Sequence, residues 1–189
     1  MNKQTNLYIL TESAILVAAA VVLSLITLFR MPLGGSVTPF ATLPIIVISL
    51  RHGFKWGIAS ALVFSLTQVV LGMSSVMAVP ARNLGSILMC VALDYVFAYT
   101  LLGFAGPISK SFGNRRLGVS AAVCLTGLGR MACSILSGVI IWAPYTPEGW
   151  NIAAYSLVYN ASWCVPDTII TLVACLALTH VRSLSLLTP

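Results

Sequence analysis

Residues 10–29 read LTESAILVAAAVVLSLITLF, twenty positions in which Glu12 is the only charge. As an α-helix rising ~1.5 Å per residue, such a stretch spans a hydrocarbon layer ~30 Å thick. Lys3 gives a weakly basic start and Ala18-Ala19-Ala20 imitates a cleavage site. The run nevertheless far exceeds the apolar core of a secretory signal, about 7 to 15 residues, and is expected to be a retained first helix. The remainder of the chain has the same character. Of 189 residues 14 are charged (10 Lys+Arg, 4 Asp+Glu) and 59% are hydrophobic, whereas an ordinary soluble domain is ~25% charged. Too few polar side chains remain to cover a wettable surface. The expected fold class is therefore an all-α integral membrane protein forming a single domain over residues 1–189.

Charges, Pro and Gly divide the chain into six helical segments, 10–29, 40–50, 54–72, 84–104, 118–142 and 152–179. The second is too short to cross the bilayer at ~1.5 Å per residue and should be tilted or embedded among its neighbours. With the N-terminus cytoplasmic, Lys3, Arg51, Lys55, Lys110, Arg115, Arg116 and Arg182 fall on the inner side and only Arg30 and Arg82 on the outer. Positive residues gather on the cytoplasmic side, so both termini are expected there, together with His52 and His180. The net charge of +6 is thus a topology signal, and nucleic acid is not an expected partner. The turn 109–116, with Gly113-Asn114, needs no function beyond this. Cys90, Cys124, Cys133, Cys164 and Cys175 form no CxxC pair and have no histidine at ligand spacing. They read as small apolar helix residues, not as a zinc site or a disulfide framework.

A polar group inside a bilayer is costly, so each one asks for a reason. A mid-helix carboxylate such as Asp94 costs ~2.5 to 3.5 kcal/mol on insertion scales. Two readings offset that cost: an internal salt bridge to Arg130, the one cation inside a helix, or a counter-charge for a cationic ligand. Asp167, after Pro166, suits a partner for Arg130 or a kink residue better than a ligand contact, and Glu12 suits the interface. Trp142, Tyr145, Glu148, Trp150, Tyr155, Tyr159 and Trp163 cluster around the junction of the last two helices. An interfacial aromatic belt accounts for Trp150 and Tyr145, but not for Tyr155 and Tyr159, which are i,i+4 neighbours on one face with Asn160 about 100° further round. Two phenols beside a carboxamide suit a heteroaromatic amine with ring nitrogens and an exocyclic amino group; the competing reading is polar glue between helices, ~0.6 to 2 kcal/mol. Asn160-Ala161-Ser162 matches a glycosylation sequon, but within a helix that match is spurious. The segment Gly34-Gly35-Ser36-Val37-Thr38-Pro39 suits a flexible outer flap or lid and lacks the ending of a phosphate-binding loop. Nucleophile triads, HExxH and paired carboxylates are absent from the sequence, so an enzyme is not expected.

Four strings, in order, carry a family resemblance: Gly34-Gly35-Ser36-Val37-Thr38 with Leu43-Pro44-Ile45 and Arg51-x-Gly53; Leu93-Asp94-Tyr95; the run 137–149, SGVIIWAPYTPEG; and Tyr155-Ser156-Leu157-Val158-Tyr159-Asn160. They span nearly the whole chain, which closely resembles the thiamine-specific substrate-binding (S) component of energy-coupling-factor vitamin transporters. The resemblance implies a six-helix bundle in a bacterial cytoplasmic membrane that captures thiamine from outside. It also implies partners, a module of two ATPases and a transmembrane coupling protein, and no cofactor of its own; the lack of a nucleotide motif agrees with borrowed energy. Position by position, it assigns ligand contacts to Asp94, Tyr95, Gly138, Trp142, Tyr155 and Asn160, with Arg130, Ser134 and Tyr159 beside them. Thiamine joins an aminopyrimidine to a permanently cationic thiazolium, which a carboxylate neutralises and an indole stacks on, a cation–π contact of ~0.5 to 2 kcal/mol.

The chain departs from the family pattern in three places. Asp94 replaces a frequent Glu and, one methylene shorter, must sit closer to the ligand or act through water. Ser134 stands where the family often has His, and loop 1 offers Phe29, Arg30 and Met31 in place of a stacking wall, which should weaken affinity or shift selectivity towards a related pyrimidine or thiazole. In helix 1, Ala14-xxx-Ala18 places two small residues one turn apart, allowing close helix approach or serving only internal packing; the resemblance makes this the face for the coupling protein. Two other classes stay open at this point: a stand-alone proton-coupled carrier in which Asp94 or Asp167 titrates, and a membrane assembly protein whose aromatics are only belt and glue.

Overall fold

The computed structural model describes residues 3–179; His180 and Arg182 lie outside them. The elements run α1 (Lys3–Ser24), β1 (Phe29–Arg30), β2 (Ser36–Val37), α2 (Leu43–His52), α3 (Phe54–Leu71) and α4 (Met73–Met77). A segmented helical run follows, consisting of α5 (Leu84–Cys90), a π-helical stretch (Val91–Phe97), α6 (Ala98–Thr100), a 3-10 stretch (Leu101–Phe104) and α7 (Ala105–Lys110). The last of the described elements are α8 (Arg115–Ile140), a 3-10 turn (Ala143–Tyr145) and α9 (Ile152–Thr179). Five helical stretches among the described residues are long and apolar enough to cross a membrane, Asn6–Ser24, Phe54–Leu71, Leu84–Lys110, Arg115–Ile140 and Ile152–Thr179. The expected short second segment is α2, ten residues long, of which Pro44 to Leu50 are all buried. It sits in the middle of the bundle against α1, α3 and α7, so its apolar run reflects burial in protein.

Several boundaries differ from the sequence reading, including the start of α1 at Lys3 and the ends of α2 and α8, and two of the differences shape the cavity's surroundings. The first helix ends at Ser24, not Phe29, because the chain tightens there: the Ser24 hydroxyl donates to the Val21 carbonyl (2.7 Å) and Leu25 N–H to Val22 C=O (3.2 Å). The residues beyond turn into a hairpin in which Phe29 pairs with Val37 and Arg30 with Ser36. Gly34 and Gly35 make its turn at φ 102° and 80°, a region open to glycine but strained for L side chains. The fourth segment continues to Lys110 and is not uniformly α-helical. A π stretch inserts an extra residue into a turn, which changes the face presented by the residues around it, Asp94 and Tyr95 included; apolar periodicity carries no signal for it. The 3-10 stretch tightens the helix just ahead of Pro107, and Ser49 of α2 fastens it by donating to the Gly103 carbonyl (2.6 Å) and accepting from Gly106 N–H (2.8 Å).

The main core, with Ile45, Ile46, Ile48, Phe64, Leu102, Val119 and Val123, fills one half of the bundle. That half ends in the turns carrying Arg51, Lys55, Lys110, Arg115 and Arg116. At the same end Glu12 of α1 pairs with Arg51 and meets His52 Nε2 at 2.9 Å, tying α1 to α2. The other half, where the hairpin, α4 and the α8–α9 connection converge, encloses a cavity. Replacing Ser49 with Ala leaves a fully buried amide and carbonyl without their partner, a cost of about 1–3 kcal/mol each at most. The expected outcome is a lower thermal unfolding temperature in detergent for Ser49→Ala, with Ser49→Cys intermediate.

Candidate functional site

The cavity measures about 290 Å³, near the lower end of the ~300–1,000 Å³ usual for small-molecule sites. Asp94, Tyr95, Arg130, Ser134, Gly138, Trp142, Tyr155, Tyr159 and Asn160 all line it. Every ligand-contact position proposed from the sequence thus reaches one space, although the residues come from the π stretch, α8, the turn after it and α9. Ala14 and Ala18 lie elsewhere, exposed on α1.

The charged groups sort cleanly. Arg130 Nη1 donates to Asp167 Oδ2 at 2.7 Å, with both side chains buried, so the sequence reading of Asp167 as its partner matches the geometry. The guanidinium lies 4.7 Å from the Tyr99 ring centroid and 5.0 Å from that of Trp163, two contacts that offset part of its desolvation. Asp94 does not pair with Arg130. Among the described residues it has no ion-pair partner, and its Oδ2 accepts from Ser137 Oγ (2.5 Å), Trp142 Nε1 (3.4 Å) and Cys90 Sγ (3.4 Å). Arg30 lines the rim without bonding to it. The cavity therefore holds one ion pair and one acidic side chain that has no ion-pair partner among the described residues.

The polar side chains of α9 divide between structure and the cavity. Asn160 Nδ2 donates to the carbonyls of Ser156 (2.9 Å) and Ser134 (3.3 Å) and to Ser156 Oγ (3.3 Å). Its amide group is thus the helix-to-helix glue weighed from the sequence, while none of the hydrogen bonds among the described residues engages Oδ1. Gly138 permits this crossing, since a Cβ there would collide with Ser156 Oγ and come within 3.4 Å of Asn160 Nδ2. Tyr159 fastens the hairpin: its hydroxyl accepts from Leu33 N–H (2.9 Å) and donates to the Gly34 carbonyl (3.0 Å). Asp167 Oδ1 accepts from Thr38 N–H (3.2 Å), so the hairpin is held from two points on α9. Tyr155 sits between Tyr159 (centroids 5.9 Å apart) and Trp150 (6.0 Å). Tyr95 donates to the Gly72 carbonyl (3.3 Å), which fixes its ring against the end of α3.

Several lining residues were not proposed as ligand contacts from the sequence: Gln68, Cys90, Tyr99 and Trp163, with the loop residues Arg30, Gly34 and Gly35. Gln68 carries the signal that found Asp94, a lone polar group in an apolar helix; here it donates to Ser24 Oγ at 2.9 Å. Trp163 belongs to the aromatic cluster, and Tyr99 stands one helical turn after Tyr95. Ser137 opens the string 137–149 but gave no chemical signal of its own, because serine is an ordinary residue in a membrane helix. In loop 1 Phe29 is exposed and does not line the cavity, and Met31 packs with Val37 and Trp163.

Comparison with known proteins gives one answer. The model of the family described as thiamine transporter protein matches residues 10–186. The thiamine transporter ThiT of Bacillus subtilis (strain 168) is 34% identical over 188 residues, covering 93% of each chain. ThiT of Lacticaseibacillus paracasei is 25% identical over 185 residues, covering 92% of this chain and 87% of that one. Among solved structures, ThiT from Listeria monocytogenes superimposes with a TM-score of 0.75 at 22% identity, covering 98% of this chain and all of that one, a likeness of fold. With a family model spanning nearly its whole length and a relative above 30% identity, this chain belongs to the thiamine transporter protein family.

Proposed function

We propose that this protein binds thiamine in the cavity beside Asp94 and delivers it into the cell as the membrane-embedded substrate-binding component of an energy-coupling-factor transporter. The observation that carries the reading is Asp94 itself: a carboxylate at membrane depth, without an ion-pair partner among the described residues, next to the Trp142 indole. A thiazolium brings the missing positive charge and a flat face for the indole, while Tyr155 and the Asn160 Oδ1 remain available for an aminopyrimidine edge. Membership of the thiamine transporter family supports the same ligand.

The five long helices and α2 then make six membrane-embedded segments in one domain. Arg51, Lys55, Lys110, Arg115 and Arg116 stand at the end away from the cavity, against Arg30 and Arg82 at the cavity end, which supports cytoplasmic termini and a cavity opening outward. The protein is a transport component, not an enzyme. ATP hydrolysis belongs to two partner ATPases, reached through a transmembrane coupling protein that docks on the α1 face bearing Ala14 and Ala18, both exposed.

Titrating the purified protein with thiamine, riboflavin, biotin and pantothenate should quench tryptophan fluorescence with thiamine alone. Trp142→Phe should remove most of that signal. Asp94→Asn keeps the shape and loses the charge; removing one member of a buried charge pair costs about 2 kcal/mol or more, at least ~30-fold in affinity. Unchanged thiamine binding by Asp94→Asn would refute the assignment. Ala14→Trp or Ala18→Trp should leave binding intact and abolish uptake by cells, whereas loss of binding in the purified variant would mean internal packing. Reconstituted alone in liposomes, the protein should bind thiamine without accumulating it; accumulation driven by a proton gradient would instead make it a self-sufficient carrier.

A further inference from the structure

Asp94 is held asymmetrically. All three donors from the described residues, Ser137 Oγ, Trp142 Nε1 and Cys90 Sγ, converge on Oδ2, and none reaches Oδ1. The Ser137 bond has the length of a charge-assisted O–H···O⁻ contact, whereas the indole contact is long and the thiol is a weak donor, so the serine dominates. Ser137 is fully buried on α8, and its backbone serves the same site: its carbonyl accepts from the N–H groups of Ile141 (2.8 Å) and Trp142 (3.3 Å). One residue thereby places the carboxylate through its hydroxyl and the indole through its main chain. An oxygen has two lone pairs, so Oδ2 is saturated while Oδ1 keeps its full accepting capacity.

We infer that Ser137 is a positioning and specificity-determining residue, which holds Asp94 so that a single oxygen, Oδ1, meets the ligand and thereby favours a diffuse ring cation over a forked N–H donor. The inference rests on the reading of Asp94 as the thiamine counter-charge. A guanidinium or amidinium needs both carboxylate oxygens for its two parallel hydrogen bonds, and Ser137 occupies one of them. A thiazolium has no N–H to donate; it needs only a negative charge held in place against its ring. The serine also compensates for the short acid, since Asp94 has one rotatable bond fewer than Glu and a fixed carboxylate loses nothing by it.

The test compares wild type, Ser137→Ala and Ser137→Cys by fluorescence titration with thiamine and with its uncharged analogue, in which a neutral ring replaces the thiazolium. Wild type must first bind thiamine; failure there overturns the thiamine reading itself, whereas the variants test the serine alone. Ser137→Ala should bind thiamine at least about tenfold more weakly, the loss expected when a hydrogen bond to a charged group is removed. Binding of the uncharged analogue should change less than about threefold, and Ser137→Cys, which retains a weak donor, should fall between. Thermal unfolding in detergent confirms that each variant is folded, and the ratio of the two affinities needs no absolute standard. If both ligands weaken equally, Ser137 serves helix packing only and the inference is wrong; it is equally wrong if neither ligand weakens.

Discussion

A guanidinium at membrane depth has to be neutralised, and here Asp167, not Asp94, does it. The Arg130–Asp167 pair is buried, short and flanked by the rings of Tyr99 and Trp163. Breaking such a pair from one side costs about 3–5 kcal/mol, so it does not exchange partners to serve Asp94. That single pairing decides the electrostatics of the cavity. With Arg130 spoken for, Asp94 is left without an ion-pair partner among the described residues, which is the condition that the proposed role of counter-charge for a cationic ligand requires.

The fold places that carboxylate through devices that are individually small. A π stretch sets the face on which Asp94 and Tyr95 emerge, Gly138 lets α8 and α9 cross closely enough for Asn160 to bridge them, and Ser137 holds both Asp94 and the chain leading to Trp142. The hairpin between α1 and α2 is fastened over the same space by Tyr159 and Asp167. Asp167 thus joins the cavity's buried ion pair to the loop above it. The densely apolar half of the bundle, with α2 at its centre, supplies a rigid support for an otherwise polar and open half.

Much of this was legible from residue types alone, because a bilayer makes the exceptions conspicuous. Glu12, Asp94, Arg130 and Asp167 stand out in apolar text, and the Tyr155–Tyr159–Asn160 pattern places three polar groups on adjoining faces of one helix. Segment 152–179 coincides with α9, and the shortness of the second segment correctly marked it as embedded. What the sequence did not disclose falls into two kinds. Departures from α geometry, the π and 3-10 stretches and the early end of α1, leave no periodicity behind, and the 3-10 stretch is fastened by the tertiary hydrogen bonds of Ser49. Pairings were the other gap: Arg130 had two acids within reach of any reasonable packing, and spacing along the chain could not choose between them. Roles also changed. Tyr159 lines the cavity yet spends its hydroxyl on the hairpin, and the amide nitrogen of Asn160 bonds within the bundle.

The most direct measurement is an experimental structure of the protein with thiamine bound. The thiazolium should lie over the Trp142 indole with its ring within about 4–6 Å of Asp94, the range in which opposite charges stabilise one another, and Arg130 should still pair with Asp167. A ligand whose cationic ring lies away from Asp94, or an Asp94 carboxylate turned to Arg130 in the complex, would contradict this picture of the cavity.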